Sequence, residues 1–188
     1  MYKLGWMPDG QTEEPFVYPN VWAKEQTSGG ERLAIAPRSG YVNLLEDLTS
    51  SLEEPFQLLY VLVVPRSEAS PGRYQSEFSF DTSQLKSFLA LYSDFLEQDA
   101  RHNLWIRPVS GQGLLVYDRH NVIYAYGPVE SFIATLTSAG LDESSAVGLP
   151  ATVHVHHYHQ EFDDAANRLL TQDKWIESPL RPGDENPC

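Results

Sequence analysis

Four of the six histidines lie within one short run, from His154 to His159, and Glu161 and Asp163 follow soon after. Imidazole and carboxylate groups are common ligands of zinc and common groups in acid–base catalysis. In an extended strand His154 and His156 point to the same face, about 7 Å apart between their Cα atoms. The run therefore predicts a candidate zinc site built from His154, His156, Glu161 and Asp163.

Two local patterns in this run resemble known metal-binding families. His154-x-His156 followed by Glu161 resembles the first motif of the cupins. The stretch His154-x-His156-x-Tyr158-His159 resembles the metal motif of metallo-β-lactamase-like hydrolases. The closing glycine of the cupin motif is absent, Tyr158 replaces the aspartate of the second motif, and no histidine follows His159 to supply the later ligands. Neither family's signature is complete, so we interpret both local matches as coincidence.

A second candidate cluster comes from a repeated Arg-His-Asn tripeptide, at 101–103 and at 119–121, each just before a predicted strand. In an antiparallel three-strand meander, the start of the first strand and the second turn lie at the same end of the sheet. The side chains expected to form a surface cluster are Arg101, His102, Arg119 and His120. Either histidine could add a ligand to a metal site, although ordinary turn chemistry also explains the tripeptides.

The direction of the last predicted strand, 151–158, decides whether the two groups of histidines meet. If the predicted helix 129–139 is a simple crossover, this strand runs parallel to the third strand of the meander. Its histidines then lie at the opposite end of the sheet from the tripeptides. We expect this separated arrangement and therefore no metal cofactor. Zinc is the alternative, if the connection 140–150 crosses back over the end of the sheet.

The charge balance limits the classes of partner. The formal net charge is −13, because 26 acidic residues outnumber 13 basic ones. Such a field repels nucleic acid and anionic membranes and favours basic proteins or cations, although it also serves solubility alone. Tyr126 and Tyr158 are candidate interface aromatics, because tyrosine joins an apolar ring to a hydrogen-bonding group. We expect a basic protein partner and neither a nucleic-acid nor a membrane partner.

Cysteine use and hydropathy predict a cytoplasmic protein. The single cysteine, Cys188, is the last residue, so no intrachain disulfide can form, which is typical of a reducing compartment. The N-terminal residues lack the apolar run of a signal peptide. The longest apolar run, 58–64, is too short to span a bilayer. We expect a location in the bacterial cytoplasm.

Apolar periodicity predicts the elements that must position these residues. The segment 56–64 is almost continuously apolar, which is typical of a central strand covered on both faces. Asp81 precedes an apolar stripe with helical spacing, which predicts a capped helix. Three short strands, 103–106, 114–118 and 121–126, have links short enough for an antiparallel meander.

The order of these elements predicts an α+β fold with a mostly antiparallel sheet that contains a three-strand meander. We expect about four helices packed mainly on one face of this sheet. Residues 1–32 are predicted to form an N-terminal arm packed on the domain. Residues 33–177 form the single α+β domain, and 178–188 form a flexible tail.

Together these features favour a non-enzymatic, acidic binding protein, possibly of the immunity or antitoxin type, that masks a basic protein partner. The sequence contains no Gly-x-Ser-x-Gly nucleophile motif and no phosphate-binding glycine loop. The alternative is a metal-dependent hydrolase that uses His154 and His156.

Overall fold

The computed structural model describes residues 1–66, 69–149, 154–172 and 174–184. Within these ranges the chain forms a nine-stranded, mostly antiparallel sheet, a separate three-stranded sheet and four α-helices. The predicted α+β fold class is confirmed. No helix in the described ranges combines the length and the apolar character needed to cross a membrane.

Strands β1 to β12 are Leu4–Trp6, Glu14–Pro15, Val21–Thr27, Gly30–Ala36, Phe56–Leu62, Gly72–Ser76, His102–Pro108, Leu114–Tyr117, Ile123–Tyr126, Asp142–Glu143, His154–His156 and Trp175–Ser178. Helices α1 to α4 are Tyr41–Thr49, Thr82–Gln98, Val129–Ser138 and Asp163–Gln172, and a short 3-10 turn, Gln160–Phe162, leads into α4.

The main sheet has the strand order β10-β3-β4-β9-β8-β7-β5-β6-β12. Strands β7, β8 and β9 are consecutive antiparallel neighbours, which confirms the predicted meander. Their short links bring the start of β7 and the β8–β9 turn to the same end of the sheet. This end carries the candidate site.

The two faces of the main sheet are covered by different parts of the chain. Leu33 and Ile35 of β4 belong to the large core that includes residues of all four helices. Ala34 and Ala36, which alternate with them, face the opposite side, where Tyr18 of the N-terminal segment covers the sheet. The helices therefore pack on one face, as alternation along an amphipathic sheet requires.

Helix α2 leads directly to the candidate site, and its start is defined by its sequence. Asp81 accepts a hydrogen bond from the backbone N–H of Gln84 at 2.8 Å, and the Gln84 side chain accepts one from the backbone N–H of Asp81 at 2.9 Å. This reciprocal capping box confirms the predicted cap. At its other end α2 delivers Asp99 to the start of β7.

Both ends of the chain contribute to the sheets. Strands β1 and β2 of the predicted N-terminal arm pair in the small sheet, whereas β3 joins the main sheet. Strand β12 pairs with β6, and the buried Asp184 forms an ion pair with Arg73. Asp184 falls in the predicted tail 178–188, whose flexibility stays a prediction. Residues 185–188, including Cys188, lie outside the described ranges.

Candidate metal centre

His120, His154 and His156 converge at the end of the main sheet. One nitrogen from each ring lies within 4.8 Å of the others. His154 and His156 are two residues apart on β11, so strand alternation places their side chains on the same face. His120 lies in the β8–β9 turn. The ring centroid of His120 is 4.7 Å from that of His156 and 5.8 Å from that of His154.

Asp118 folds the turn that presents His120. Its Oδ1 accepts hydrogen bonds from the backbone N–H groups of His120 and Val122, each at 2.9 Å. Asn121 takes the left-handed conformation, with φ of 63°, which asparagine tolerates better than most residues. The Oδ2 of Asp118 lies 2.9 Å from Nδ1 of His120. This contact leaves Nε2 of His120 as the nitrogen available to a metal, the arrangement by which carboxylates orient zinc-binding histidines.

Strand β11 is held beside this turn by contacts that the sequence pattern does not reveal. It pairs antiparallel with β1 in the small sheet. The carbonyl oxygen of His157 accepts a hydrogen bond from the backbone N–H of Ala100 at 2.9 Å. The backbone N–H of His159 donates to Oδ2 of Asp99 at 2.8 Å. The end of α2 therefore anchors the chain just after β11.

The predicted separation of the two histidine groups is wrong. After α3 the chain adds β10 beside β3 at the edge of the main sheet, and β11 then pairs with β1 instead of joining the meander. This places the β11 histidines beside the β8–β9 turn. Residues 151–153 of the predicted strand lie outside the described ranges.

The other two predicted metal ligands do not join the cluster. Glu161 is exposed in the 3-10 turn. Asp163 Oδ1 lies 2.9 Å from Nη1 of Arg101 and 3.3 Å from Nε of Arg66, so it is an ion-pair partner. Both residues lie beyond the end of β11, in the 3-10 turn and at the start of α4. The third member of the cluster is His120, in place of these two carboxylates.

The two Arg-His-Asn tripeptides are neighbours, as the meander predicts, because the backbone N–H of Arg119 donates to Oδ1 of Asn103 at 2.8 Å. They do not form a surface cluster. All four side chains expected at the surface are buried, namely Arg101, His102, Arg119 and His120. The small sheet and the segment after β11 cover this end of the main sheet, which the topology of the meander alone could not indicate.

His102 is separate from the three-histidine cluster. It is fully buried, with its ring centroid 4.6 Å from Phe95 and 5.2 Å from Tyr60. Burial lowers the pKa of His102 well below its usual value. It is therefore a neutral residue packed among aromatic rings, and it lies outside the three-histidine cluster.

Burial keeps two of the clustered histidines neutral near pH 7. The pKa of His156 is lowered to about 3, mainly by burial and then by the charge of Arg119. The pKa of His154 is also lowered, again mainly by burial. A neutral imidazole has a lone pair to offer a metal, so both rings are in the protonation state that coordination requires.

Two basic side chains, Lys3 and Arg119, border the three-histidine cluster. Lys3 is buried, and its Nζ donates to the carbonyl oxygens of Leu96 at 2.8 Å and of Asp118 at 3.1 Å. Arg119 Nη2 donates to the hydroxyl oxygen of Tyr158 at 2.6 Å and lies 3.2 Å from Nδ1 of His156. No sequence signal marked Lys3 or the pairing of Arg119 with Tyr158.

The two candidate interface tyrosines both contact arginine within the domain. Tyr158 accepts from Arg119, and the Tyr126 hydroxyl oxygen accepts from Nη1 of Arg32 at 2.9 Å. Both rings remain half-buried. Their role at an interface stays a prediction.

His157 and His159 belong to a different environment from the cluster. Their rings stack, with centroids 5.7 Å apart and an interplanar angle of 11°. His157 Nε2 contacts a carboxylate oxygen of Glu13, and His159 Nε2 lies 2.9 Å from the carbonyl oxygen of Tyr2. This pair therefore offers a matched comparison for tests of the three-histidine cluster.

The cluster has the ligand number of a catalytic zinc site, in which three protein ligands leave the fourth tetrahedral position open. Tetrahedral coordination places nitrogen ligands about 3.3 Å apart, so the three rings would have to close by about 1.5 Å or less. Half-buried His154 and His156 can make that adjustment by side-chain rotation. Comparison of the chain with protein-family models, curated proteins and solved structures found no match.

Proposed function

We propose that this protein is a zinc-dependent hydrolase whose metal is bound by His120, His154 and His156. The observation that carries the proposal is the convergence of one nitrogen from each ring within 4.8 Å, with Asp118 against the far nitrogen of His120. A bound zinc ion supplies a Lewis acid that activates water and polarises a carbonyl or phosphoryl group.

The surrounding residues supply orientation and charge. Asp118 is fully buried, so its position is well defined and its charge is poorly screened. That negative charge favours a cation at His120 and selects the His120 tautomer that binds through Nε2. Arg119 has the opposite effect, because its positive charge beside His156 opposes a divalent cation. The three imidazole ligands fit zinc. The charge of the Asp118 carboxylate partly offsets the charge of the Arg119 guanidinium.

The direct test is metal binding by the purified, metal-stripped protein. We expect wild type to bind one equivalent of zinc and to unfold at a higher temperature in its presence, because ligands that bind only the folded state stabilise it. The His154→Ala/His156→Ala double variant and the His120→Ala variant should lose both effects. Metal analysis and thermal unfolding with zinc or chelator measure them.

The matched control is the His157→Gln/His159→Gln double variant, which also removes two imidazoles next to β11 but leaves the cluster intact. It should keep one equivalent of zinc. Zinc-dependent hydrolysis of p-nitrophenyl acetate or p-nitrophenyl phosphate by wild type, lost in His120→Ala, would support the enzymatic part. Wild type without stoichiometric zinc, or equal zinc loss in both double variants, would overturn the proposal.

A second candidate function rests on charge. The net charge of −13 supports a protein that binds and masks a basic protein partner. The single cysteine favours the cytoplasm as its location. Electrostatic association weakens as salt shortens the screening length to about 8 Å at about 0.15 M. Basic proteins should therefore be captured from host extract at low salt and released at about 0.5 M salt. Capture of only neutral or acidic proteins would count against this candidate.

A further inference from the structure

Arg119 is a buried cation beside the cluster that forms no ion pair within the residues the structure describes. Only 9% of its surface is exposed. Its Nη2 contacts the Tyr158 hydroxyl and Nδ1 of His156, both neutral groups. Its Nε is buried without a hydrogen-bond partner in the described ranges. Buried charges are normally paired, so a guanidinium in this state is a candidate binding group for an anion.

The state of His156 links Arg119 to the metal position. Nε2 of His156 is also buried without a partner among the described residues, so it is the ring nitrogen open to coordination. A neutral imidazole that coordinates through Nε2 carries its proton on Nδ1. That proton would face an N–H of Arg119 Nη2. Two donors would then oppose each other, with their nitrogen atoms 3.2 Å apart. Metal binding therefore requires the guanidinium to leave Nδ1 of His156.

The released guanidinium then has two adjacent donors, Nε and Nη2, in the fork geometry that matches the two oxygens of a carboxylate or phosphate. Tyr158 supports this arrangement, because it accepts from Nη2 and keeps its own O–H to donate. His154 and Tyr158, the other side chains at this position, are half-buried. A divalent cation beside Arg119 would make the local charge more positive still.

We propose that Arg119, with Tyr158, binds an oxyanionic group of the substrate, a carboxylate or a phosphate, next to the metal held by the three histidines. This inference rests on the proposed function and specifies its substrate class. Metal loading and anion binding are coupled, because the metal both releases Arg119 from His156 and adds positive charge.

The test uses cobalt in place of zinc, because the visible absorption of cobalt reports its coordination and its surroundings. Sodium acetate and inorganic phosphate are titrated separately into the cobalt-loaded protein, which distinguishes the two anion types. We expect saturable binding of at least one anion by wild type. Binding should be about tenfold or more weaker in Arg119→Gln, the loss of one bidentate charge-assisted contact, with cobalt still bound.

Two further variants separate charge from geometry. Arg119→Lys keeps the charge without the fork and should bind the anion more weakly than wild type. Arg168→Gln removes an exposed arginine and should match wild type. If wild type takes up no cobalt, the proposed function fails. If cobalt binds but neither anion does, or if Arg119→Gln binds as wild type does, only the present inference fails.

Discussion

At the scale of single residues, Asp118 links the local fold to the candidate chemistry. One carboxylate oxygen holds the backbone of the β8–β9 turn, and the other orients the ring of His120. The fully buried side chain thus satisfies three donors at once. Because the two oxygens have different roles, a substitution can remove the contact with His120 and keep the contacts with the backbone.

Asp118→Asn should weaken zinc binding while keeping the fold. The amide oxygen can still accept from the two backbone N–H groups, but the amide nitrogen would face Nδ1 of His120 as a donor. His120 would then carry its proton on Nε2, the nitrogen needed for the metal. We expect a loss of zinc affinity of about 10–100-fold, the usual effect of removing such a partner.

Competition with a chromophoric chelator measures this loss. Asp142→Asn is the matched control, because it removes an equal charge from an exposed position on β10. The role given to Asp118 would be rejected if both variants held zinc as tightly as wild type does.

Lys3 makes stability depend on pH. Burial lowers the pKa of this amine from 10.5 to about 7, with the nearby carboxylates opposing that shift. The unfolded chain therefore binds more protons than the folded chain between these two values, and stability rises with pH across this window. Below about pH 7 both states are protonated and the full cost of burying the charge remains.

We expect the free energy of unfolding of wild type to increase by up to about 1.4 kcal/mol per pH unit from this group between about pH 7 and pH 9. Lys3→Met removes the titrating group but keeps an unbranched side chain, so the difference between the two proteins cancels other titrations. Urea unfolding at several pH values measures it. Parallel pH profiles for the two proteins would contradict the assignment.

At the scale of elements, the C-terminal end of α2 joins the main sheet to the segment that carries β11. Asp99 accepts from Nε and Nη2 of the fully buried Arg101, at 2.8 and 2.9 Å, and from the backbone N–H of His159. Asp163 provides a second, more exposed carboxylate for the same guanidinium. The position of β11 therefore depends on a buried ion pair formed outside its own sheet.

Asp99→Asn should be strongly destabilising, because it leaves the buried Arg101 charge with only a partly exposed partner. Breaking such a pair costs about 3–5 kcal/mol. Asp163→Asn removes a partner of the same arginine at a site with 27% side-chain exposure and should cost about 1 kcal/mol or less. Denaturant unfolding compares the two variants. Equal losses would show that Asp99 has no special role.

Sequence patterns correctly predicted the elements that form between residues close together in the chain. The β7–β8–β9 meander and the capping box of α2 follow from short links and from Asp81 with Gln84. The proximity of the two Arg-His-Asn tripeptides followed from that topology. These features depend on residues close together in the chain, so periodicity and turn length are sufficient to predict them.

The candidate site was predicted only in part because its assembly is non-local. His154 and His156 were identified from their spacing, but their pairing with β1 joins strands from opposite ends of the chain. Neither Leu4–Trp6 nor its neighbours carry a strong strand pattern, so nothing in the sequence indicated that β11 would pair outside the main sheet. That pairing places the β11 histidines beside His120.

At the scale of the whole molecule, the dominant property is the excess of negative charge. The chain has 26 acidic and 13 basic residues, so 13 acidic residues would lack a partner even if every basic residue were paired. Several of the basic residues, including Arg101 and Arg119, are buried and contribute little to a surface pattern of alternating charge. Mutual repulsion among surface carboxylates should therefore oppose folding at low salt.

Salt should consequently stabilise the metal-free protein. Raising the ionic strength from about 10 mM to about 150 mM shortens the screening length from about 30 Å to about 8 Å, which weakens long-range repulsion more than close ion pairs. If screening relieves about 1 kcal/mol, Tm should rise by about 2–4 °C for a chain of this size. Thermal unfolding in chelator-treated buffer measures it, and choline chloride at equal ionic strength excludes specific sodium binding. A Tm that falls with salt would mean that attractive ion pairs, such as those of Arg101, outweigh the net charge in setting stability.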